Sequence, residues 1–315
     1  MPLLRLTTRH SRVATLVHPN WHLLQREYHL GGTARIFLQP AQKKCPSVKV
    51  PLGTEAMSET TIVTAPGSEV GSEGSPTRMR YLGLALTVSF VAFLGFSFTY
   101  FRPALAGEYP PVSPTVHVHG WTFFLWYLLL PLQAWLVSRR NIALHRSLGA
   151  ASVVLAIAMT LTGLVVIGHQ MELAQGPDGS PFWRLLGPAI FVTLLLFVVF
   201  YALALKHRRN RDLHKRFMLL ASTGALGAAA FRVLGQIIGM GAPAGIGGIL
   251  APNLIIVAAI MLEVRRGGGI HPVYLWGLPA SIAVEGGVIL LTPTPVGQAL
   301  ASGLAWLGAV SAPLY

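Results

Sequence analysis

Long runs of apolar residues, separated by short polar loops, dominate the chain from residue 81 onward. Seven runs are long enough to predict helices, and they lie at residues 81–101, 115–137, 147–168, 182–205, 217–239, 245–264 and 274–291. At 1.5 Å per residue, each crosses a hydrocarbon core of about 30 Å. A last run at 296–310 is shorter, and we predict an interfacial or a partly inserted eighth helix there. The pattern predicts an all-α, polytopic membrane helix bundle with seven transmembrane helices.

The composition agrees with a membrane protein. Of the 315 residues, 53% are hydrophobic and 11% are charged, whereas soluble domains carry about 25% charged residues. The formal net charge of +13 does not indicate nucleic-acid binding, because the basic residues form short clusters between apolar runs instead of one continuous face. We therefore predict the lipid bilayer as a partner and no nucleic acid. Cys45 is the single cysteine, which excludes a disulfide framework, a thiolate zinc site and a cysteine-held iron–sulfur cluster.

The distribution of basic residues predicts how the helices are oriented. Arginine and lysine precede the first predicted helix and fill the loops after the second, fourth and sixth, while the alternate loops carry few charges. Because basic loops are retained in the cytoplasm, we predict a cytoplasmic N-terminus and a C-terminus outside, unless the last run inserts. Arginine outnumbers lysine 19 to 5, which suggests a GC-rich bacterial genome and a bacterial cytoplasmic (inner) membrane.

The first 77 residues differ from the rest of the chain. They contain no apolar run long enough for a spanning helix, and glycine, serine, glutamate and proline dominate residues 57–77. We predict a disordered N-terminal extension at 1–77 and a transmembrane helical domain at 78–315. Residues 1–56 are arginine-rich and acid-poor like a transit peptide, but we interpret them as an over-extended start, with Met57 as the true start.

One motif occurs in two of the basic loops. RRNIALHRS and RRNRDLHKR share Arg-Arg-Asn, two free positions and Leu-His followed by a basic residue, at a separation of 69 residues. Because each copy joins one predicted helix to the next, we predict an internal repeat that relates helices two and three to helices four and five. The repeat makes His145 and His214 equivalent, so helices three and five can present two imidazoles to each other.

These loops resemble a bacterial family of uncharacterised multi-pass membrane proteins. The resemblance covers roughly residues 80–290 and rests on the motifs LHRSLG, LHKRFMLLAS and HPVYLWG, with a histidine at the start of an earlier helix, here His117 or His119. It implies a membrane fold and says little about activity. Histidines at helix ends in a four-helix core are loosely similar, in architecture alone, to transmembrane b-type cytochromes and haem-oxidase assembly proteins.

Several histidines are candidate haem ligands. His145 and His214 can hold low-spin haem iron, because neutral imidazoles on facing helices are natural axial ligands. His117 and His119 are two positions apart on a helix and point about 200° from each other, so at most one faces the bundle. We choose His119, because Gly120 allows a cofactor to approach closely. We predict haem b as the cofactor and no metal beyond its iron; the alternative is that these histidines only mark the membrane boundary.

Arg232 predicts a buried polar site. It lies about two-thirds of the way across the fifth predicted helix, where a charge costs about 2.5 kcal/mol or more and needs a partner. Glu285 lies at a comparable depth in the seventh helix and is the predicted counter-ion, while Gln236, one turn from Arg232, can complete the site. We interpret the group as an anion or haem-propionate clamp, as part of a proton or quinone site, or as a packing pair without other function.

Three functions are consistent with these residues. The first is haem binding for membrane redox chemistry or oxidase assembly, through His119, His145, His214 and Arg232, with a respiratory-chain protein or a quinone as partner. The second is a small-molecule or ion transporter with an Arg232/Glu285 site, and the third is a cofactor-free membrane scaffold. The sequence contains no HExxH, no Gly-x-Ser-x-Gly and no carboxylate pair placed for hydrolysis, so nothing in it favours a hydrolytic enzyme.

Overall fold

The structure is a computed structural model that describes residues 5–8, 13–18, 21–27, 34–36, 48–50 and 75–315. Contacts divide the chain into two units, Met1–Glu69 and Val70–Tyr315. In the first unit, three strands form an antiparallel sheet in the order β1 (Arg5–Thr8), β2 (Val13–His18) and β3 (Trp21–Glu27), and β4 (Ala34–Ile36) pairs with β5 (Val48–Val50). Apart from these strands and residues 75–77, the extension predicted to be disordered at 1–77 lies outside the described residues. The start at Met57 stays a prediction.

Eleven α-helices make up the second unit within the described residues. They are α1 (Ser75–Phe96), α2 (Arg102–Leu105), α3 (Pro114–Ser138), α4 (Ile142–Gln175), α5 (Pro181–Lys206), α6 (Arg211–Gly224), α7 (Gly227–Ile238), α8 (Ala242–Leu250), α9 (Asn253–Val264), α10 (Pro272–Leu291) and α11 (Pro295–Ser311). A π-helical turn at Ser97–Phe101 joins α1 to α2. A 3₁₀ turn at Ala312–Leu314 follows α11.

Six segments of the described residues are helical, long and apolar enough to cross a membrane. They are Met79–Leu105, Pro114–Ser138, Ile142–Gln175, Pro181–Lys206, Ala242–Val264 and Pro272–Leu291. α6 and α7 add a seventh if they count as one span, which is bent by 50° between Gly224 and Gly227. Within residues 75–315, the predicted all-α bundle with six to seven helices able to span a membrane is confirmed. The helix predicted at 217–239 is the bent pair α6 and α7.

Side-chain caps determine where α3, α4 and α6 begin. Ser113 accepts a hydrogen bond from the Thr115 amide, Asn141 accepts one from the Leu144 amide, and Asn210 caps α6 in the same way. These caps satisfy amide groups that have no partner within the helix. Asn141 and Asn210 occupy the same position of the repeated Arg-Arg-Asn motif, so the motif begins a helix in both copies.

α5 lies at the centre of the bundle, where it packs against α4, α6, α8 and α10. Trp126 of α3 packs edge-on against Phe197 and Tyr201 of α5, with ring centroids 5.0 and 5.3 Å apart. The polar atoms of this core have partners: Trp126 Nε1 donates to Ser222 Oγ at 3.2 Å, and the Ser152 and Tyr201 hydroxyls lie 2.7 Å apart. Such hydrogen bonds offset the cost of burying polar groups at membrane depth.

α11 packs closely along α4. A Cβ atom at Gly308 would collide with the carbonyl oxygen of Gly168, so the two backbones touch. The Tyr315 ring stacks on His169 with centroids 3.7 Å apart, and Thr115 Oγ1 donates to the Leu314 carbonyl. The last apolar run is therefore a packed helix of 17 residues, whose far end lies beside the beginning of α3 and the end of α4. Whether it is interfacial or inserted stays a prediction.

Candidate functional site

Arg232 does not pair with Glu285, contrary to the prediction. The Arg232 guanidinium donates from Nε to Thr99 Oγ1 and from Nη1 to the Ala228 carbonyl, both at 2.8 Å, and it lies 4.4 Å above the centre of the Phe96 ring. α7 packs against α1 and α8, whereas α10 packs against α5, α6, α8 and α9. The two residues lie on helices that do not pack against each other, which is why the predicted ion pair is wrong.

Gln236 does not complete a buried site either. Its side chain is exposed, and the next two residues, Ile237 and Ile238, are 72% and 59% exposed. The end of α7 therefore emerges from the bundle one turn after Arg232. The predicted group of Arg232, Gln236 and Glu285 is not brought together.

Glu285 instead has an amide as its partner. The residue is 2% exposed, and Asn253 Nδ2 donates to its Oε2 at 2.7 Å. Asn253 is the first residue of α9, directly after the interruption at Ala251 and Pro252 that separates α9 from α8. This interruption lies near the middle of the apolar segment Ala242–Val264. A proline irregularity within one candidate membrane span thus lies beside an amide that contacts a buried carboxyl group.

The surroundings of Glu285 determine its chemistry. Among the described residues, no arginine, lysine or histidine forms an ion pair with it. An isolated carboxylate is costly to bury, so a carboxyl group at membrane depth takes up a proton or a cation. The position of Glu285 within an apolar run was visible in the sequence. The role of Asn253 was missed, although the preceding Pro252 interrupts an apolar run and was the available signal.

His145 and His214 do come together. Their ring centroids lie 6.3 Å apart, and the ring planes are nearly perpendicular, at 85°. His214 Nδ1 lies 2.9 Å from the Ala204 carbonyl oxygen, to which it donates. The side-chain amide of Gln133 is oriented so that its nitrogen donates to His145 Nδ1 at 2.6 Å and its oxygen accepts from the Gly149 amide at 3.0 Å. Both rings are therefore oriented through Nδ1, at the beginnings of α4 and α6.

His119 lies at a different depth of the bundle. Its Nδ1 atom is 3.4 Å from Thr162 Oγ1, and its ring packs on Phe123 with centroids 4.6 Å apart. Thr162 is 17 residues along α4 from His145, which is about 25 Å at the helical rise. His119 therefore belongs to no common site with His145 and His214. Within residues 75–315 and the described strands, no three His, Cys, Asp or Glu side chains are grouped to hold a metal ion.

A polar network that sequence reasoning missed joins four helices at their ends. Arg216 of α6 is 8% exposed, and its Nη2 lies 3.0 Å from Glu263 Oε1 of α9, while its Nη1 lies 3.2 Å from Asp212 Oδ1. Tyr81 of α1 donates to Glu263 Oε1 at 2.7 Å and lies 3.2 Å from the Tyr274 hydroxyl of α10. Arg216 looked like one more basic loop residue. The apolar run that begins directly after it was the signal for its burial.

His271 begins α10 beside this network. Its Nδ1 atom accepts a hydrogen bond from the Val273 amide at 3.2 Å, so the imidazole caps the helix. Burial and, to a smaller extent, the positive charge of Arg216 lower the pKa of His271. The lowered pKa favours the neutral ring, which is the form that can accept this hydrogen bond.

Comparison of the chain with known protein families, curated proteins and solved structures finds no match. The resemblance to a bacterial membrane family therefore rests on its short motifs alone. The structure explains the positions of these motifs. LHRSLG and LHKRFMLLAS lie at the beginnings of α4 and α6, and HPVYLWG begins α10 and contributes Tyr274 to the polar network.

Proposed function

We propose that this multi-pass membrane protein transports protons, and that the carboxyl group of Glu285 carries the proton through the middle of the bilayer. The observation that carries the proposal is the burial of Glu285 against Asn253, without a basic partner among the described residues. Ionisable residues that are kept at membrane depth despite their cost are typical of proton relays in pumps and transporters.

A proline irregularity beside the buried carboxyl group supports the proposal. Asn253 follows Ala251 and Pro252, which separate α8 from α9 while keeping helical dihedral angles. Secondary transporters build their sites at discontinuous helices near the middle of the bilayer. The proposed site replaces the Arg232/Glu285 site of the sequence-based transporter hypothesis, since Arg232 bonds to Thr99 and Ala228.

A second carboxyl group lies along the same helix as Asn253. Glu263 of α9 is ten residues beyond Asn253, which is about 15 Å at the helical rise. It accepts the hydroxyl hydrogen bond of Tyr81 and contacts Arg216. We assign this end of the bundle to the cytoplasm, because the basic loops lie there. In the bacterial inner membrane, Glu263 would then lie on the cytoplasmic side of Glu285.

The first prediction concerns the flux of protons through reconstituted protein. Liposomes that contain the full chain and a trapped pH dye are expected to acidify when a potassium diffusion potential, negative inside, is applied. Glu285→Gln is expected to reduce the flux to that of empty liposomes, because an amide cannot release a proton. Glu285→Asp is expected to retain part of it.

The controls separate loss of function from loss of fold. Glutamine has nearly the same shape as glutamate and still accepts from Asn253, so the variant should keep the elution profile and thermal stability of the wild type. Glu172→Gln changes an acidic residue that contacts His169 at 3.7 Å instead and should leave the flux unchanged. Wild-type protein that conducts no more than empty liposomes, or a Glu285→Gln protein that conducts fully, would refute the proposal.

A second candidate function is haem binding by His145 and His214. The rings lie 6.3 Å apart, and His214 donates from Nδ1 to the Ala204 carbonyl, as metal-ligating histidines usually donate their second nitrogen. His145 accepts at Nδ1 from Gln133, so this hydrogen bond has to change for its Nε2 to bind iron. This donor set fits the iron of haem b, which would supply one-electron redox chemistry with a quinone or a respiratory-chain protein as partner. His119 and Arg232 are not part of this pair.

An optical spectrum tests the haem candidate. Protein purified in mild detergent from cells supplied with a haem precursor is expected to show a Soret band and, after reduction with dithionite, a sharp α band. His145→Ala and His214→Ala should each abolish the bands, whereas His207→Ala, which removes a ring stacked on Phe217, should retain them. Colourless, monodisperse protein rules this candidate out. If the proton flux is also absent, the cofactor-free scaffold is the remaining hypothesis.

A further inference from the structure

Arg232 carries a positive charge that no acidic side chain neutralises within the described residues. None of the ion pairs found there includes it, and its partners are all uncharged: the Thr99 hydroxyl, the Ala228 carbonyl and the Phe96 ring. A guanidinium keeps its proton inside proteins, so Arg232, unlike Glu285, cannot lose its charge within an apolar helix. An anion from outside the chain is the remaining way to neutralise it.

The guanidinium of Arg232 is held in place with one nitrogen free. Nε donates to Thr99 Oγ1 and Nη1 donates to the Ala228 carbonyl, and the Phe96 ring packs against the face of the group. Nη2 makes no hydrogen bond within the part of the chain that the structure describes, and it is not buried. A guanidinium that is already fixed loses little freedom when it donates to an anion.

Tyr109 places a second free donor beside Arg232. It lies in the loop between α2 and α3, where its ring packs edge-on against Tyr100 with centroids 5.0 Å apart. Among the described residues its hydroxyl makes no hydrogen bond, whereas the Tyr100 hydroxyl lies 3.2 Å from His117 Nδ1. Burial and Tyr100 raise the pKa of Tyr109, and the positive charge of Arg232 opposes the rise. The hydroxyl therefore stays protonated at neutral pH, within the field of the guanidinium, and can donate.

We propose that Arg232 and Tyr109 bind a small monovalent carboxylate that enters from the aqueous phase outside the membrane. Arg232 Nη2 and the Tyr109 hydroxyl each donate to the carboxylate, whose planar shape and single charge match the guanidinium. The rings of Phe96 and Tyr100 suit an apolar body, so benzoate is a simple probe. The loop that contains Tyr109 lies outside, because the basic loops lie at the opposite ends of these helices. The site is separate from Glu285, and its occupation does not depend on proton transport.

A phospholipid headgroup is the other source of an anionic oxygen for Arg232. Arg232 lies six residues before the end of α7 at Ile238, which is about 9 Å along the helix axis. Lipid phosphates lie outside the hydrocarbon core, whereas a soluble carboxylate can pass beneath the loop of Tyr109. The depth of Arg232 therefore favours the soluble anion.

Equilibrium binding of radiolabelled benzoate to the full chain in neutral detergent tests the site. Wild-type protein is expected to bind one benzoate per chain. Arg232→Gln is expected to abolish saturable binding, because glutamine carries no charge. Tyr109→Phe is expected to weaken binding about fivefold, the equivalent of about 1 kcal/mol for one hydrogen bond. This second variant keeps the aromatic ring, so its result does not depend on how well Arg232→Gln folds.

Two controls separate this site from a general effect of charge and from lipid. Arg102→Gln removes an exposed arginine close to the same end of the first span and should bind benzoate as the wild type does. Soluble dihexanoyl phosphatidylglycerol should displace benzoate only at higher concentrations than unlabelled benzoate does. The proposal is overturned if the wild type shows no saturable binding, if Arg232→Gln or Tyr109→Phe leaves the affinity unchanged, if Arg102→Gln weakens it equally, or if phosphatidylglycerol is the stronger competitor.

Discussion

Replacing Arg216 by leucine is expected to lower the free energy of unfolding by about 3–5 kcal/mol, the usual result of removing one partner of a buried ion pair. The side chains of Arg216 and Glu263 are only 10% and 14% exposed, and they lie 3.0 Å apart. Without the guanidinium, the charge of Glu263 is poorly solvated and has no basic partner at 3.0 Å. Asp212 also loses its contact with Arg216. Reversible unfolding in mixed micelles with increasing sodium dodecyl sulfate measures the loss.

A double variant separates the charge from the packing. Arg216→Leu combined with Glu263→Leu removes both charges and should recover most of the lost stability, because a buried pair replaced by apolar residues is often neutral. Arg139→Leu, which changes an exposed arginine next to α3, should change stability by less than about 1 kcal/mol. If Arg216→Leu lowers the free energy of unfolding by no more than Arg139→Leu does, Arg216 does not stabilise the protein through this network.

Gly308→Leu is expected to separate α11 from α4. The new Cβ atom would collide with the Gly168 carbonyl and with the amide nitrogen of His169, and backbone atoms within a helix cannot move aside as a flexible side chain can. Overpacking of this kind costs about 1–3 kcal/mol, and occasionally more. The stacking of Tyr315 on His169 depends on the same contact and should be lost with it.

Carboxypeptidase digestion detects this separation. Tyr315 and Leu314 should be released faster from the Gly308→Leu protein than from the wild type, because the chain end no longer packs against His169 and Thr115. Gly303→Leu adds the same bulk to the same helix, but a Cβ atom there meets nothing within 4 Å, so its release rate should match the wild type. Equal rates for all three proteins would show that the glycine contact does not hold α11.

Local features of the sequence determined the helices and several of their ends. The lengths of the apolar runs predicted the candidate membrane spans. This works because each residue contributes separately to the free energy of transferring a helix into lipid. The repeated Arg-Arg-Asn motif placed His145 and His214 at equivalent helix starts, and the structure brings their rings together. The internal repeat that this motif suggests stays a prediction for the helices beyond these loops.

Polar residues within apolar helices were predictable, but their partners were not. Arg232 and Glu285 were correctly recognised as polar residues within apolar helices, yet the first bonds to Thr99 and the second to Asn253. Counting residues along a helix gives the depth of a side chain, whereas its partner depends on which helices are neighbours. No spacing within the sequence contains that information.

The tertiary structure alone decided the polar network, the bend between α6 and α7, and the contact of α11 with α4. The partners of Arg216 were defined only once α1, α9 and α10 were placed around it. In a soluble protein, the contrast between a polar and an apolar face reveals which side of a helix is buried. Lipid tails are as apolar as the interior of the bundle, so this contrast is missing, and packing between helices decides which residues meet.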